Sequence, residues 1–316
     1  MPPETLIEVR LVAIRRAARD THLYEFEAVN GARLPDAEPG AHIDVHLPNQ
    51  LMRQYSLIRA QANPASYVIG VKRDLHSRGG SRFMHEELRV GTTLKIAAPR
   101  NNFPLAATGD RSVLFAGGIG ITPIWAMIQQ LTALRRSWEL HYSCRSREDA
   151  AFLGDLLALD QVHCHFDDEH AGRVLDLASP IARAPRNAHL YCCGPAAMLK
   201  SFEALTENWP REQIHVEYFT AKEPAARGGG FTVELARSGL ELPVPEGKTI
   251  LQVLIEAGID VASSCEEGVC GACETRVVAG APDHRDAVLS PAERAANNRM
   301  MICCSGSKSS RLVLDL

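Results

Sequence analysis

Hydrophobic and polar residues alternate in short runs over residues 5–100, and Gly, Pro and Asn separate the runs. Alternation of this kind predicts strands that bury one face, and many short strands with regular turns predict an antiparallel barrel or sandwich. One helix-like stretch, residues 81–88, interrupts the pattern. The predicted strands are LIEVRLVAI, HLYEFEAV, HIDVHL, QYSLI, SYVIGVK and TLKIAAP.

From about residue 109 the pattern changes to apolar strands that alternate with helical segments. The run SVLFAGGIGITPIWAMIQQLTAL combines a strand, a glycine-rich turn and a helix with a period near 3.6. Alternation of strands and helices predicts a parallel, doubly wound sheet. Its last strand is expected at VEYFTA, residues 216–221. The other predicted elements are the strands WELHYSCR, QVHCHFDD and HLYCCGP and the helices EDAAFLGDLLAL and PAAMLKSFEALTEN.

The stretch KEPAARGGG has the composition of a linker, and a third type of pattern follows it. A hairpin is predicted for FTVELARSGLELPVPEG, a helix for TILQVLIEAGI and a closing strand for RLVLDL. We therefore expect three domains: an antiparallel β-barrel, a doubly wound parallel α/β domain, and a small C-terminal domain after the linker. Their expected bounds are 1–106, 107–221 and 230–316, with the linker at 222–229.

Composition narrows the class of protein. With 46% hydrophobic and 23% charged residues, the chain is not expected to be disordered, collagen-like or a coiled coil. No apolar run approaches the roughly 20 residues that span a bilayer. The opening MPPETLIEVR lacks the apolar core of a signal peptide, so we expect a cytoplasmic protein with no membrane association. The net charge of −4 argues against a nucleic-acid partner.

The nine cysteines are concentrated at the C-terminal end, with none before residue 144 and five in the last 52 residues. The cytosol keeps thiols reduced, so this crowding indicates a metal or cluster module. Cys265, Cys270 and Cys273 form a C-x4-C-x2-C motif with Cys303 thirty residues later, which is the plant-type [2Fe–2S] spacing. Zinc is the alternative, but structural zinc prefers two close pairs and the chain has one.

Glycine suits a tight cluster loop, and Gly268 and Gly271 stand within the motif. The segment SCEEGVCGACETRVVAGAPDHRDAVLS…MICCS resembles the ferredoxin domain of phthalate dioxygenase reductase and vanillate demethylase reductase. The resemblance implies a β-grasp-like domain whose fourth ligand is Cys303, and it puts Cys304 at a position that is usually small and apolar. Outside the motif, buried structural roles are expected for Cys144, Cys164 and Cys192.

A glycine-rich turn at residues 116–123 follows an apolar strand and leads into a helix N-terminus, which favours a pyrophosphate. The GxGxxG pattern is absent, and ordinary strand–helix turns remain the alternative. The pair GGIGITP…CCGP resembles the pyridine-nucleotide domain of the ferredoxin reductase superfamily, in which the threonine and the cysteine–glycine turn border the nicotinamide. The residues implied for the dinucleotide are Gly117, Gly118, Gly120, Thr122, Cys193, Gly194 and Pro195.

The choice between NADH and NADPH depends on the segment HYSCRSRED. Arg145 and Arg147 could pair with a 2′-phosphate. Glu148 and Asp149 would repel that phosphate and could bind a ribose diol. The resembled reductases use NADH, so NADH is the expected substrate.

The segments RQYSL, VKRD and RGGS resemble the flavin domain of the same reductases, which holds FMN rather than FAD. Arginine suits a phosphate, tyrosine a ribityl or ring contact, and serine a hydrogen bond near flavin N5. Glycine amides and a serine before a helix can also cradle a phosphate. For Lys72 and Arg73 a solvated strand end is the alternative. The residues expected to bind FMN are Arg53, Tyr55, Ser56, Val71, Lys72, Gly79, Gly80 and Ser81.

Phe219 matches an aromatic residue that in this family lies over the flavin ring where nicotinamide enters, and a core role is the alternative. Nicotinamide gives up two electrons as a hydride whereas the cluster takes one, so a flavin must stand between them. The residues expected at the hydride-transfer site are Ser56, Thr122, Cys193 and Phe219.

The resemblance spans nearly the whole chain and implies a monomeric reductase that passes electrons from NADH to a Rieske-type terminal oxygenase. No Rieske-type C-x-H pair occurs, so the oxygenase is expected on another polypeptide. A stand-alone NAD(P)H diaphorase, a quinone or ferric reductase, and a redox-sensing module are the alternatives.

The negative charge is confined to the ferredoxin-like part of the sequence. Residues 230–316 hold 8 Lys and Arg against 12 Asp and Glu, whereas residues 1–229 hold 26 of each. Glu266 and Glu267 could therefore dock on a basic patch of the oxygenase. A solvated acidic surface is the alternative.

Overall fold

The computed structural model describes residues 6–75 and 77–316, so the first half of the stretch that argues against a signal peptide lies outside the described residues. The chain divides into two compact units, Met1–Glu217 and Tyr218–Leu316. The first unit contains two sheets, each with its own hydrophobic core. No described helix combines the length and the apolar character needed to cross a membrane.

The first sheet is a six-stranded antiparallel barrel, as predicted from the alternating runs. Its strand order is β4-β3-β6-β1-β2-β5, and a bridge between Leu57 and Ile69 joins its two edges. Tyr24 and Phe26 are fully buried inside it, and helix α1 (Gly80–Glu86) follows the fifth strand. The strands are β1 (Ile7–Ala18), β2 (Thr21–Ala28), β3 (His42–His46), β4 (Met52–Ser56), β5 (Ser66–Lys72) and β6 (Thr93–Ile96).

The second sheet is parallel throughout and has the order β11-β10-β7-β8-β9. The order reverses between β7 and β10, and such a switch point is where doubly wound sheets bind ligands. Its strands are β7 (Arg111–Gly117), β8 (Ser137–Cys144), β9 (Val162–Phe166), β10 (His189–Cys193) and β11 (Ile214–Glu217). Its helices are α2 (Ile121–Ala133), α3 (Leu153–Leu156), α4 (Ala178–Arg183) and α5 (Ala196–Leu205).

Two predicted elements of this sheet differ from the structure. The helix expected over EDAAFLGDLLAL shrinks to α3, because Phe152 takes a left-handed conformation with φ 62° and breaks the helical run. The last strand ends at Glu217, where its partner β10 also ends, rather than at residue 221. Phe219 therefore lies beyond the strand, 39% exposed, so the alternative of a core role for this residue is wrong.

The barrel and the parallel sheet are in direct contact within the first unit. A Cβ on Gly70 of β5 would lie 2.7 Å from Cγ2 of Thr122 at the start of α2. The Gln129 side chain donates to the Ile58 carbonyl at 2.8 Å, and the Tyr191 hydroxyl accepts from the Ala106 amide at 2.8 Å. The predicted boundary at 106/107 thus falls inside one compact unit, and the three-domain division stays a prediction.

The second unit is a mixed sheet packed on an amphipathic helix. The strand order is β13-β12-β18-β14-β16, with β12 and β13 forming the predicted hairpin and β18 parallel to β12. Thr249 and Gln252 form a capping box at the start of α6, whose apolar face is buried. The elements are β12 (Phe231–Leu235), β13 (Glu241–Val244), α6 (Ile250–Glu256), β14 (Glu274–Ala279), β15 (Pro282–Asp283), α7 (Pro291–Ala296), β16 (Arg299–Met301), β17 (Gly306–Ser307) and β18 (Arg311–Leu314).

Candidate functional site

The structure brings the four predicted cluster cysteines together in the second unit. Cys270, Cys273 and Cys303 are buried, whereas Cys265 is half-buried. The thiols of Cys270 and Cys303 lower the pKa of Cys265, and contact with Cys265 raises the pKa of both partners in turn. Cys303 also contacts the Cys273 thiol. One shared site for four sulfurs follows from these contacts.

The loop around these sulfurs has the backbone that an iron–sulfur cluster requires. The amide of Glu267 donates to Cys265 Sγ at 3.3 Å, and the amide of Ala272 donates to Cys270 Sγ at 3.3 Å. Amides that face sulfur stabilise the charge of a thiolate-bound cluster. Four thiols with amide donors therefore fit a [2Fe–2S] cluster.

Gly268 and Cys304 form a tight contact within this loop. Gly268 has φ 70°, and a Cβ at this position would lie 2.4 Å from Cys304 Sγ and 3.1 Å from Asp286 Cα. Cys304 is only 1% exposed. Its sulfur fills the space beside the loop glycine, a role that the sequence did not reveal.

The two glycine turns predicted for the dinucleotide lie side by side at the switch point. Gly117 ends β7 and is followed by Gly118 and Gly120. Cys193 ends β10, the neighbouring strand of the sheet, and is followed by Gly194 and Pro195. A Cβ on Gly120 would lie 2.2 Å from the Cys193 carbonyl oxygen, and a Cβ on Gly194 would lie 3.0 Å from the Gly117 amide nitrogen. The two turns interlock, and side chains at these glycines would separate them.

The turn after β7 leads directly into α2, whose 13 residues present an N-terminus at the switch point. Amides at such an end bind a pyrophosphate, so the residues present fit a dinucleotide. Thr122, in the first turn of α2, is buried and donates its hydroxyl to the Ile119 carbonyl at 3.0 Å. Its side chain is therefore held in place before any ligand arrives.

Cys193 has an acidic neighbour that sequence reasoning missed. The thiol is buried and lies 3.9 Å from Glu217 Oε2, because the two residues are register partners at the ends of β10 and β11. Burial raises the pKa of Glu217 to about 8 and raises that of Cys193 well above its ordinary value. At neutral pH the carboxyl is therefore mostly protonated. The sequence signal that could have found Glu217 is its place as the acidic last residue of the strand IHVE.

The predicted phosphate residues of the flavin site also meet. Arg53 on β4 donates to the Arg78 carbonyl at 2.9 Å, and a Cβ on Gly80 would lie 2.6 Å from Arg53 Cγ. Arginine thus packs on the start of α1, where glycine alone leaves room for it. The site fits the phosphate of a flavin nucleotide, because a guanidinium lies against the first turn of a helix there.

Ser77 organises the loop before α1, a role that sequence reasoning missed. Its hydroxyl accepts hydrogen bonds from the amides of Gly79 at 3.2 Å and Arg82 at 3.3 Å. The Ser81 hydroxyl donates to Ser77 Oγ at 3.0 Å and accepts from the Asp74 amide at 3.2 Å. The predicted Ser81 is therefore part of a preformed loop.

The remaining flavin residues lie on adjoining strands of the barrel. Ser56 is buried at the end of β4, and burial raises the pKa of Tyr55 next to it. Val71 and Lys72 end β5, directly after Gly70. The contact of Gly70 with Thr122 therefore brings this end of the barrel against the switch point.

The loop after β8 is held by ion pairs. Arg19 binds Asp149 through two bonds of 2.9 and 2.7 Å and contacts Glu148 at 3.3 Å. Arg147 binds Glu169 at 2.5 Å. Arg145 is exposed and has no ion pair or side-chain hydrogen bond within residues 6–75 and 77–316.

A second possible metal group lies on β8 and β9, where ligand atoms of Glu139, His141 and His163 come within 4.8 Å of one another. The two imidazoles are stacked, with centroids 4.9 Å apart and planes inclined by 24°. A nitrogen lone pair lies in its ring plane, so stacked rings do not direct their lone pairs at one ion. This group does not form a metal site as it stands.

The chain is similar to known proteins over nearly its whole length. Residues 233–307 match the 2Fe-2S iron-sulfur cluster binding domain. A tetrachlorobenzoquinone reductase of Sphingobium chlorophenolicum is 49% identical over 323 residues, which is 99% of each chain. A vanillate O-demethylase oxidoreductase of Pseudomonas sp. strain HR199 is 46% identical over 317 residues, covering 98% of this chain and 100% of the other. The crystal structure of phthalate dioxygenase reductase has a TM-score of 0.74 at 38% identity and 98% coverage of both chains.

Proposed function

This chain belongs to the oxidoreductase family that includes vanillate O-demethylase oxidoreductase and phthalate dioxygenase reductase, and we propose that it is the NADH-dependent reductase of a Rieske-type oxygenase. In this proposal electrons pass from NADH through FMN to a [2Fe–2S] cluster and on to a separate oxygenase. The observation that carries the proposal is the contact between Gly70 and Thr122, because it joins the predicted flavin strand to the predicted nucleotide turn.

The chain binds and orients the reactants rather than supplying a nucleophile. Arg53 and the amides at the start of α1 would hold the flavin phosphate, and the N-terminus of α2 would hold the NADH pyrophosphate. Thr122 and Cys193, with Glu217 beside the thiol, are buried or half-buried groups that would exclude water where the two rings meet. FMN, when bound, accepts a hydride and releases its two electrons singly, which suits a one-electron cluster.

The exposed edge of the cluster site supports a protein acceptor. Of the four cluster cysteines, Cys265 alone is half-buried rather than buried. The neighbouring Glu266 is exposed and forms no ion pair in the described part of the chain. An unpaired acid at this edge would steer a basic patch of the oxygenase toward the cluster. Within this proposal the reductase acts as a monomer.

Replacing Cys270 with Ser tests the electron path. We expect loss of electron delivery to the oxygenase, whereas NADH should still reduce the flavin, since the cysteine lies outside the nucleotide and flavin residues. Stopped-flow absorbance measures both steps separately. Cys164→Ser, a half-buried thiol outside the cluster motif, is the matched control and should change neither step. Equal loss of both steps in the Cys270 variant would contradict the path.

A second candidate function is quinone reduction, which is favoured by the 49% identity to a tetrachlorobenzoquinone reductase. The two functions differ in the acceptor. NADH oxidation coupled to product formation by an added oxygenase supports the first. Rapid reduction of a halogenated quinone, with no coupled product from any oxygenase, would replace it by the second.

A further inference from the structure

The loop after β8 is where doubly wound sheets contact the adenosine ribose of a dinucleotide, and an acid there normally binds the ribose diol. In this chain both acids of the loop are already bound. Arg19, from the turn between β1 and β2, donates two charge-assisted hydrogen bonds to Asp149 and contacts Glu148. It also donates to Ser146 Oγ at 3.0 Å. Arg19 lowers the pKa of Asp149, which is therefore a carboxylate fully committed to this ion pair.

The two remaining arginines of the loop differ in their partners. Arg147 is bound to Glu169 by bonds of 2.5 and 3.2 Å and lies over the Phe166 ring, 4.7 Å from its centroid. Arg145 is exposed, and within the described residues its guanidinium has no partner. Of the loop's charged groups, Arg145 is therefore the cation left to receive a ligand.

We propose that this site accepts NADPH as well as NADH, with Arg145 binding the 2′-phosphate and Arg19 holding the loop carboxylates away from it. The inference rests on the proposed function, since it assumes that this loop binds the nucleotide. The hydride, two electrons and one proton, passes from NADPH to the flavin as it does from NADH and leaves NADP⁺. The 2′-phosphate therefore affects only how tightly the nucleotide binds, not the hydride transfer itself.

The local charge agrees with this assignment. Arg19, Arg145 and Arg147 offset the charges of Glu148, Asp149 and Glu169, whereas Asp20 and Asp168 also lie close enough to act on Arg19 and Arg147. Lys72 adds a positive charge close enough to lower the pKa of Asp149 further. Arg19 therefore offsets two carboxylates that would otherwise repel a phosphate dianion at this loop.

The test compares kcat/KM for NADPH and NADH, together with calorimetric binding of 2′,5′-ADP, in four variants. Arg145→Gln should lower NADPH efficiency and 2′,5′-ADP affinity about tenfold, the effect of one lost charge-assisted bond, and leave NADH nearly unchanged. Arg147→Gln removes the same charge from the same loop and frees Glu169, so it is the comparison variant and should lower the ratio less than Arg145→Gln does. Arg19→Gln should also lower the NADPH to NADH ratio, because it releases two carboxylates toward the phosphate.

Arg15→Gln is the control for Arg19, since Arg15 lies on β1, just before the turn that holds Arg19, and pairs with Glu25 instead. If Arg19 merely held the barrel to the sheet, its variant would lower both efficiencies equally and the ratio would not move, which would overturn its assigned role. A parent protein that uses NADH but neither uses NADPH nor binds 2′,5′-ADP would overturn the inference and leave the proposed function standing. A protein whose flavin neither nucleotide reduces would overturn the proposed function itself.

Discussion

Replacing Gly268 with alanine should destabilise the cluster loop, and the structure separates two reasons. The residue has φ 70°, and a left-handed conformation costs an alanine about 1–2 kcal/mol. The added methyl would also lie 2.4 Å from Cys304 Sγ and 3.1 Å from Asp286 Cα, and overpacking of this kind typically costs about 1–3 kcal/mol. The expected total is about 2–5 kcal/mol, of which the second part depends on the Cys304 sulfur.

Gly258→Ala isolates the first part, because Gly258 has φ 74° in the same unit and open space around its Cβ position. The double variant Gly268→Ala/Cys304→Ala removes the closest clash and should recover part of the excess. The assay is denaturant unfolding of the holoprotein, together with the rate of cluster loss followed by visible absorbance. The reasoning is refuted if Gly268→Ala is no more destabilising than Gly258→Ala, or if removing the Cys304 sulfur recovers nothing.

Further predictions concern the flavin, the acid beside Cys193, the aromatic residue after β11 and the docking surface. Arg53→Ala should weaken FMN binding at least tenfold by removing a charge-assisted phosphate contact, measured by flavin fluorescence, with the exposed Arg59→Ala as control. The raised pKa of Glu217 means that the folded protein holds a proton more tightly than the unfolded chain between pH 4.5 and about 8, so stability should fall as pH rises through this window. In Glu217→Gln the melting temperature should depend less on pH between pH 4.5 and about 8, and an unchanged dependence would contradict the assignment. Phe219→Ala should alter the rate of hydride transfer from NADH in stopped-flow experiments, and unaltered kinetics and flavin absorption would reject its gating role. Electron transfer to the oxygenase should slow with added salt, and less so in Glu266→Gln.

The sequence predicted the parts of the site that depend on local spacing. Cys265, Cys270 and Cys273 come from one loop, and a three-residue or five-residue separation fixes how near their sulfurs can lie. The turns at Gly117 and Gly194 each follow an apolar strand, so their place at a strand end was readable. The strand order that makes them neighbours required the resemblance as well.

The parts that sequence missed depend on contacts between distant segments. Arg19 and Asp149 are 130 residues apart, and no local pattern pairs them. Glu217 faces Cys193 only because β11 lies in register with β10. Cys304 gained a packing role from the close approach of Gly268, a distance that no spacing rule gives.

The interlocked turns have a consequence for how the protein matures. The turn after β7 and the turn after β10 are separated along the chain by β8, β9 and three helices. Even so, the two turns pack directly against each other, so each holds the other in position. The proposed nucleotide site therefore does not exist in a partly folded sheet, and it forms when β10 and β11 dock beside β7. Since a ligand that binds only the completed fold stabilises it, the dinucleotide itself would favour the final step of assembly over any intermediate.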